Sequence, residues 1–275
     1  MKELMNEYKM YLQEKGRTKN TIAGYGYDVN SFIKFLKKKN KHYLNADSND
    51  VFEYIDSLKS CNATINRVCI GLNSFYKYLS NQGLIVDVPD CNYYLKVNVK
   101  EPDYISKDVM ERILKALDTN DFIGIRNYCM LKVLYCTGIH ISELLDLALE
   151  DVRLDINEIV IENGKHSRTI SINQEISNLL EDYLKARSLM NVSTDKFFVN
   201  ARGGKMTRQG GNNIFKNCCD SAHITDKFNL NTLRNSFIIN AIKDGMRYTD
   251  IQKITGVNGL DFLQRYAEYV EERRI

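Results

Sequence analysis

The chain has 275 residues, 44% of them hydrophobic and 27% charged, a balance that fits a soluble globular protein and excludes a disordered or membrane-embedded one. That length fills two domains of ordinary size, each with its own core. No apolar run approaches the roughly 18–20 residues that span a bilayer, and the opening MKELMNEYKMYLQEKG lacks the apolar centre of a signal peptide; a cytoplasmic protein with no membrane contact is expected.

The seven cysteines form no C-x-x-C pair and no zinc spacing with His, which predicts reduced core thiols and no bound metal. Residues 1–100 carry 15 Lys and Arg against 10 Asp and Glu, and the remainder carries 23 against 25. The basic excess is thus in the front of the chain, where it suits a polyanionic partner.

In chain order, helices are predicted first over 2–15 and 21–39. In the second, Ile22, Tyr25, Val29, Phe32, Ile33 and Leu36 recur at three- and four-residue spacing, leaving the lysines mostly on another face. A short helix follows over 49–59, with Ser48 or Asp50 near its start, and a longer one over 64–80 repeats the apolar spacing from Ile65 to Leu79. These make a small all-helical bundle, residues 1–88. Pro89 and Pro102, the only prolines, lie where the periodicity is lost; proline lacks a backbone donor and disfavours helix before it, so 89–102 reads as a linker. A second domain, 103–275, is helical except where Glu158–Glu162 and Ser167–Ile172 flank Asn163-Gly164-Lys165, a hairpin signal. The expected fold is mainly α, with a mixed α+β second domain carrying a small hairpin or sheet.

Five segments of that second domain carry a resemblance: LKVLYCTGIHISELLDL (131–147), NGKHSRTISI (163–172), FVNARGGKMTRQG (198–210), NLNTLRNSF (229–237) and IQKITGVNGLDFLQRY (251–266). Their order and spacing resemble the signature blocks of the tyrosine recombinase, or phage integrase, family, and the front domain resembles the SAM-like core-binding domain of its Xer-like members. The resemblance covers essentially the whole chain. It implies a site-specific recombinase acting in DNA recombination or integration, often on mobile elements, without metal or cofactor. A tyrosine attacks the backbone phosphate, leaving a 3′-phosphotyrosine and a free 5′-hydroxyl. Two arginines meet the charge that grows on the non-bridging oxygens, and a hairpin lysine protonates the leaving oxygen.

Position by position, the resemblance makes Tyr266 the nucleophile, Arg234 a phosphate-binding arginine and Lys165 the general acid. The same residue types admit plainer readings, a core aromatic, a surface ion pair and a solvated turn lysine. Three of six catalytic positions depart from the family: His140 stands where arginine is expected, Asn231 where histidine is usual, and Val257 replaces the histidine of a leucine-glycine-histidine element. His140 offers no planar fork, Asn231 keeps a hydrogen bond but moves no proton, and Val257 does neither. If His140 stands in for arginine as an imidazolium, cleavage should rise as pH falls through about 5.5–8. Arg126 and Arg202 are conceivable substitutes for the lost arginine.

DNA contacts are expected from Arg202, Lys205, Thr207, Arg208 and Gln209 in a Gly-containing turn and helix start. Arg17, Lys19 and Asn20 precede one front-domain helix, and Asn62, Thr64, Asn66 and Arg67 open another; by resemblance such helices face the DNA grooves. Two readings stand open. One is an active recombinase that joins two duplexes as a homotetramer. The other is a catalytically impaired homologue serving as a DNA-binding regulator, architectural factor or partner of an active recombinase.

Overall fold

A computed structural model describes residues 2–97, 101–162, 167–257 and 259–273. The chain divides into two compact units, Met1–Val99 and Lys100–Ile275. The fold is mainly helical, with one small antiparallel sheet.

The first unit holds α1 (Lys2–Glu14), α2 (Lys19–Lys38), α3 (Ser48–Asp56) and α4 (Asn62–Asn81). Their apolar stripes close on one core in which Tyr8, Val29, Phe32, Leu36, Leu72, Phe75, Tyr76 and Leu79 are fully buried. The spacing that predicted α2 and α4 is the spacing that buries these side chains. The helices begin one or two residues earlier than the apolar pattern alone suggests, because caps set the start. Thr18 caps α2 through Thr21 N–H, and Asp47, not Ser48 or Asp50, caps α3 in a reciprocal box with Asp50. Lys19, Asn20 and Asn62 therefore lie in first helical turns.

The proline-containing stretch is partly held down on this unit. Cys91 is buried in the first core, and the Asn66 side chain grips the Leu95 backbone with two 2.8 Å hydrogen bonds, Nδ2 donating to the carbonyl and Oδ1 accepting from the N–H. All seven cysteines are free; Cys69, Cys91, Cys129, Cys218 and Cys219 are buried, whereas Cys61 and Cys136 are exposed.

The second unit runs α5 (Lys107–Lys115), α6 (Phe122–Thr137), α7 (Ile141–Asp146), β1 (Val152–Arg153), β2 (Glu158–Ile161), β3 (Arg168–Ser171), α8 (Gln174–Ser188), α9 (Arg208–Ser221), α10 (Leu230–Lys243), α11 (Tyr248–Thr255) and α12 (Leu260–Arg273). β2 and β3 pair with Glu158 opposite Ser171 and Ile161 opposite Arg168, and β1 adds an unforeseen edge pairing Val152 with Ile159. Helix α6 is apolar nearly all round from Cys129 to Leu134 and runs through the core between α8 and α10. A smaller cluster, Ile238, Ile239, Ile251, Leu263 and Tyr266, joins α10, α11 and α12. Among the described residues no helix is long and apolar enough to cross a membrane.

Candidate active site

The site is built where α6 ends. Thr137 and Gly138 close that helix, Gly138 taking the left-handed conformation with φ 61°. A Cβ at Gly138 would lie 2.4 Å from Phe237 Cδ1 on α10, so only glycine allows this close approach. The approach lets the freed Gly138 carbonyl accept a 2.6 Å hydrogen bond from Arg234 Nη1, fixing one arm of the guanidinium and leaving the remaining N–H groups for an anion.

His140 caps α7. Its N–H donates to Glu143 Oε2 at 2.8 Å, and its Nδ1 accepts from Ser142 N–H at 3.2 Å and sits 2.7 Å from Ser142 Oγ. With Nδ1 accepting a backbone N–H, the proton of the neutral ring is on Nε2. Burial, then the Arg234 and Arg208 guanidiniums, hold the imidazole below its usual value, with Glu143 opposing. In the free protein the ring is thus neutral at pH 7, because two cations and a desolvated setting outweigh one carboxylate.

Glu143 is the hub that sequence reading missed. Its carboxylate takes a fork from Arg168, Nη1 to Oε1 and Nη2 to Oε2, both at 2.8 Å. Arg168 also donates from Nε to the Ile254 carbonyl at 2.8 Å and from Nη2 to the Thr255 carbonyl at 3.2 Å. The pair is nearly buried, with side chains 10% and 12% exposed. Burial alone would raise the Glu143 carboxyl, but the Arg168 fork and the His140 N–H bring it below the usual range. One arginine therefore ties β3, the start of α7 and the end of α11. Gly256 ends α11 with φ 69°, and a Cβ there would come within 2.8 Å of Arg168 Nη1. A sequence signal for Arg168 existed. Strand alternation puts it on the face of buried Ile170 and Ile172, where a charge demands a partner.

Tyr266 on α12 is 2% exposed, and its hydroxyl donates to Asn235 Oδ1 at 2.8 Å. Burial raises its pKa, with Arg265 and Arg234 opposing, so the phenol is protonated at neutral pH; Asn235 directly follows Arg234 on α10. The Arg265 guanidinium lies over the Tyr266 ring, 5.4 Å from its centroid. Val257 packs against the apolar cluster around Tyr266. Asn231 is exposed, and its side chain makes no hydrogen bond among the described residues. Lys165 falls outside the described residues.

The two substitute arginines foreseen from sequence differ in setting. Arg126 is 4% exposed and turned inward, donating to the Val199 carbonyl at 3.2 Å and to Asn127 Oδ1; Arg202 lies in the exposed turn closed by Asn200.

Other predicted contacts divide by engagement. Arg17, Lys19 and Asn20 are exposed. Thr64 bonds the Cys61 thiol, Asn62 donates to the Lys96 carbonyl at 2.8 Å, and Arg67 pairs with buried Asp28. Asn66 is buried, with both amide atoms on Leu95, leaving little to offer a base edge. Lys205 pairs with Asp146 at 3.0 Å, Thr207 caps α9, and Gln209 donates to Asn213. Arg208 is exposed, with no ion pair or hydrogen bond to its guanidinium among the described residues.

Comparison with known proteins places this geometry. Residues 103–273 match the phage integrase family and residues 5–83 the phage integrase N-terminal SAM-like domain. The chain is 30% identical over 286 residues to a tyrosine recombinase XerC of Herpetosiphon aurantiacus, covering 100% of this chain and 93% of that protein. It is 28% identical over 280 residues to the XerC of Anoxybacillus flavithermus, covering 98% and 93%. A crystal structure of XerH site-specific recombinase bound to palindromic difH substrate, in a post-cleavage complex, superposes with TM-score 0.75 at 20% identity, over 92% of this chain and 77% of that one.

Proposed function

The chain belongs to the phage integrase family of tyrosine recombinases, and from that premise we propose that it is a site-specific DNA recombinase that breaks and rejoins strands through Tyr266. The observation that carries this reading is the hydrogen bond from Tyr266 on α12 to Asn235 on α10, the residue that follows Arg234, with Arg234 locked onto Gly138 and its remaining N–H groups unpaired among the described residues. Glu143 and Arg168 hold the surrounding elements together even though three neighbouring positions have changed.

The chemistry exchanges one phosphodiester for another. Tyr266 Oη attacks phosphorus and forms a 3′-phosphotyrosine, the bond from phosphorus to O5′ breaks, and O5′ takes up a proton. As it attacks, Tyr266 Oη gives up its hydrogen bond to Asn235 Oδ1 and releases its proton to solvent, and O5′ takes up one proton, so the exchange is proton-neutral. Arg234 stabilises charge on the non-bridging oxygens. His140 presents Nε2–H as a neutral donor to the same region. Reversal by a different 5′-hydroxyl rejoins the strands, with no cofactor. Lys165 takes the role of proton donor to O5′ in this reading.

Double-stranded DNA is the proposed partner. Arg17, Lys19, Asn20, Arg202 and Lys205 supply exposed phosphate contacts, and the working assembly is a homotetramer on two duplexes in the cytoplasm. A lambda integrase dimer, solved bound to a core site, shares this fold at 13% identity and TM-score 0.72. A second reading, an impaired partner subunit that only binds DNA, is favoured by His140 and Val257. Covalent trapping on nicked duplexes separates the two: a Tyr266-dependent adduct supports the recombinase, and tight binding without adduct supports the partner.

A further inference from the structure

Replacing the family arginine by His140 removes a full positive charge from one side of the phosphate, and a neutral imidazole restores a hydrogen bond but no charge. The structure offers a cation nearby that no other contact uses. Arg208 is the first residue of α9, and its guanidinium is unpaired among the described residues although Lys205, three residues earlier, pairs with Asp146. One turn on, Gly211 is wedged between α7 and α10: a Cβ there would lie 3.2 Å from Leu230 Cδ1 and 3.6 Å from Ile141 Cδ1. Residues three apart share a helix face, so Arg208 lies on the face that meets Ile141, next to His140, and Leu230, next to Asn231. Arg208, Ile141, Leu230 and Asn231 accordingly line one open cleft of about 950 Å³.

We propose that Arg208 is a phosphate-binding catalytic residue of this recombinase, supplying the charge that position 140 lacks while His140 Nε2–H supplies a donor, so that one arginine's work is divided between two residues. This rests on the Tyr266 reading above. The charge at the phosphate is then permanent and does not depend on titration of His140. The groups facing that ring are Arg234 from α10, Arg208 from α9 and Glu143 from α7, the last already neutralised by Arg168 from β3.

The test maps phosphates and needs no cleavage. A duplex is selected for binding by Tyr266→Phe protein from a randomised pool, then resynthesised with a neutral methylphosphonate at each backbone position in turn. Arg208→Ala in that background should weaken binding to unmodified DNA by about 10- to 100-fold, as expected for one charge-assisted hydrogen bond. The loss should vanish when one particular phosphate is neutralised, and Arg234→Ala should map to that same phosphate. Lys227→Ala, which removes another cation from the same cleft, should show no such coupling. An Arg208 effect that maps to a different phosphate, or is equally large at every position, overturns the assignment while leaving Arg234 and Tyr266 in place. Failure of Arg234→Ala to map to any phosphate overturns the site reading, and Arg208 with it. Where the unmodified protein cleaves, His140→Arg should recover most of the rate lost in Arg208→Ala; no recovery counts against the division of roles.

Discussion

At the scale of single residues, the site is a set of charges whose neighbours decide their state. Arg168 and Glu143 are each nearly out of water, so removing one leaves the other unpaired, a loss of about 3–5 kcal/mol for buried ion pairs. Arg168→Ala should therefore lower unfolding free energy by that order, measured by denaturant titration, whereas a change below 1 kcal/mol would mean that the three elements it joins are held by packing alone. His140 gives a pH signature. Its folded pKa is held below the unfolded value by burial, Arg234 and Arg208, so the unfolded chain binds the extra proton. Stability is then full above about 6.5, the unfolded value, and is lost as pH falls through the folded one. His140→Gln, which keeps a side-chain acceptor, should flatten stability against pH below neutrality. A steeper loss in the variant would contradict a neutral histidine.

Helices and strands were legible to the extent that their patterns are local. The periodicity from Ile22 to Leu36 and from Ile65 to Leu79 specified α2 and α4, and the two β-branched runs at 158–162 and 167–172 specified the pairing of β2 with β3, the Asn163-Gly164 signal itself lying outside the described residues. What sequence did not reveal depends on partners distant in the chain. Asn66 looked like a groove contact because Asn, Thr and Arg open α4, yet its amide matches the backbone of Leu95, 29 residues on. Arg126 looked like a spare cation, but α6 carries it inside to the Val199 carbonyl, 73 residues away. Tyr266 and Arg234 were singled out from local motifs, while Arg168 needed both its strand face and a partner 25 residues back.

Two predictions belong to elements. Asp47→Ala removes the side-chain half of the α3 capping box, the acceptor for Asp50 N–H, and should cost about 1 kcal/mol, read as a lowered Tm; an unchanged Tm would show that α3 is held by its core face and the remaining Asp50 contact. Gly138→Ala forces a methyl into Phe237 at a left-handed residue and should cost about 1–3 kcal/mol from overpacking. It should also displace the carbonyl that holds Arg234, so DNA affinity should fall with stability.

For the whole molecule, the basic front hundred residues and the exposed cations of the second unit imply binding dominated by phosphate contacts. Log affinity for duplex DNA should fall linearly with log salt, with a slope of about −0.9 per phosphate neutralised. The full chain should show a steeper slope than residues 101–275 tested beside it, since each unit captures its own phosphates. Equal slopes would confine the contacts to the second unit. Arg234→Ala should weaken binding by about 1.5–3 kcal/mol, the worth of a hydrogen bond from a charged group.

The central claim is that Tyr266 still cuts DNA although an arginine and two histidines expected around it are gone. The most direct measurement incubates the natural chain with a pool of nicked duplexes carrying randomised half-sites, in which release of a short fragment past the nick traps any phosphotyrosine, and follows the adduct by denaturing electrophoresis. The expected result is a covalent protein–DNA band whose attachment maps to Tyr266 and which disappears in Tyr266→Phe. Absence of any adduct from a protein that binds the same pool, or an adduct that survives Tyr266→Phe, would contradict it.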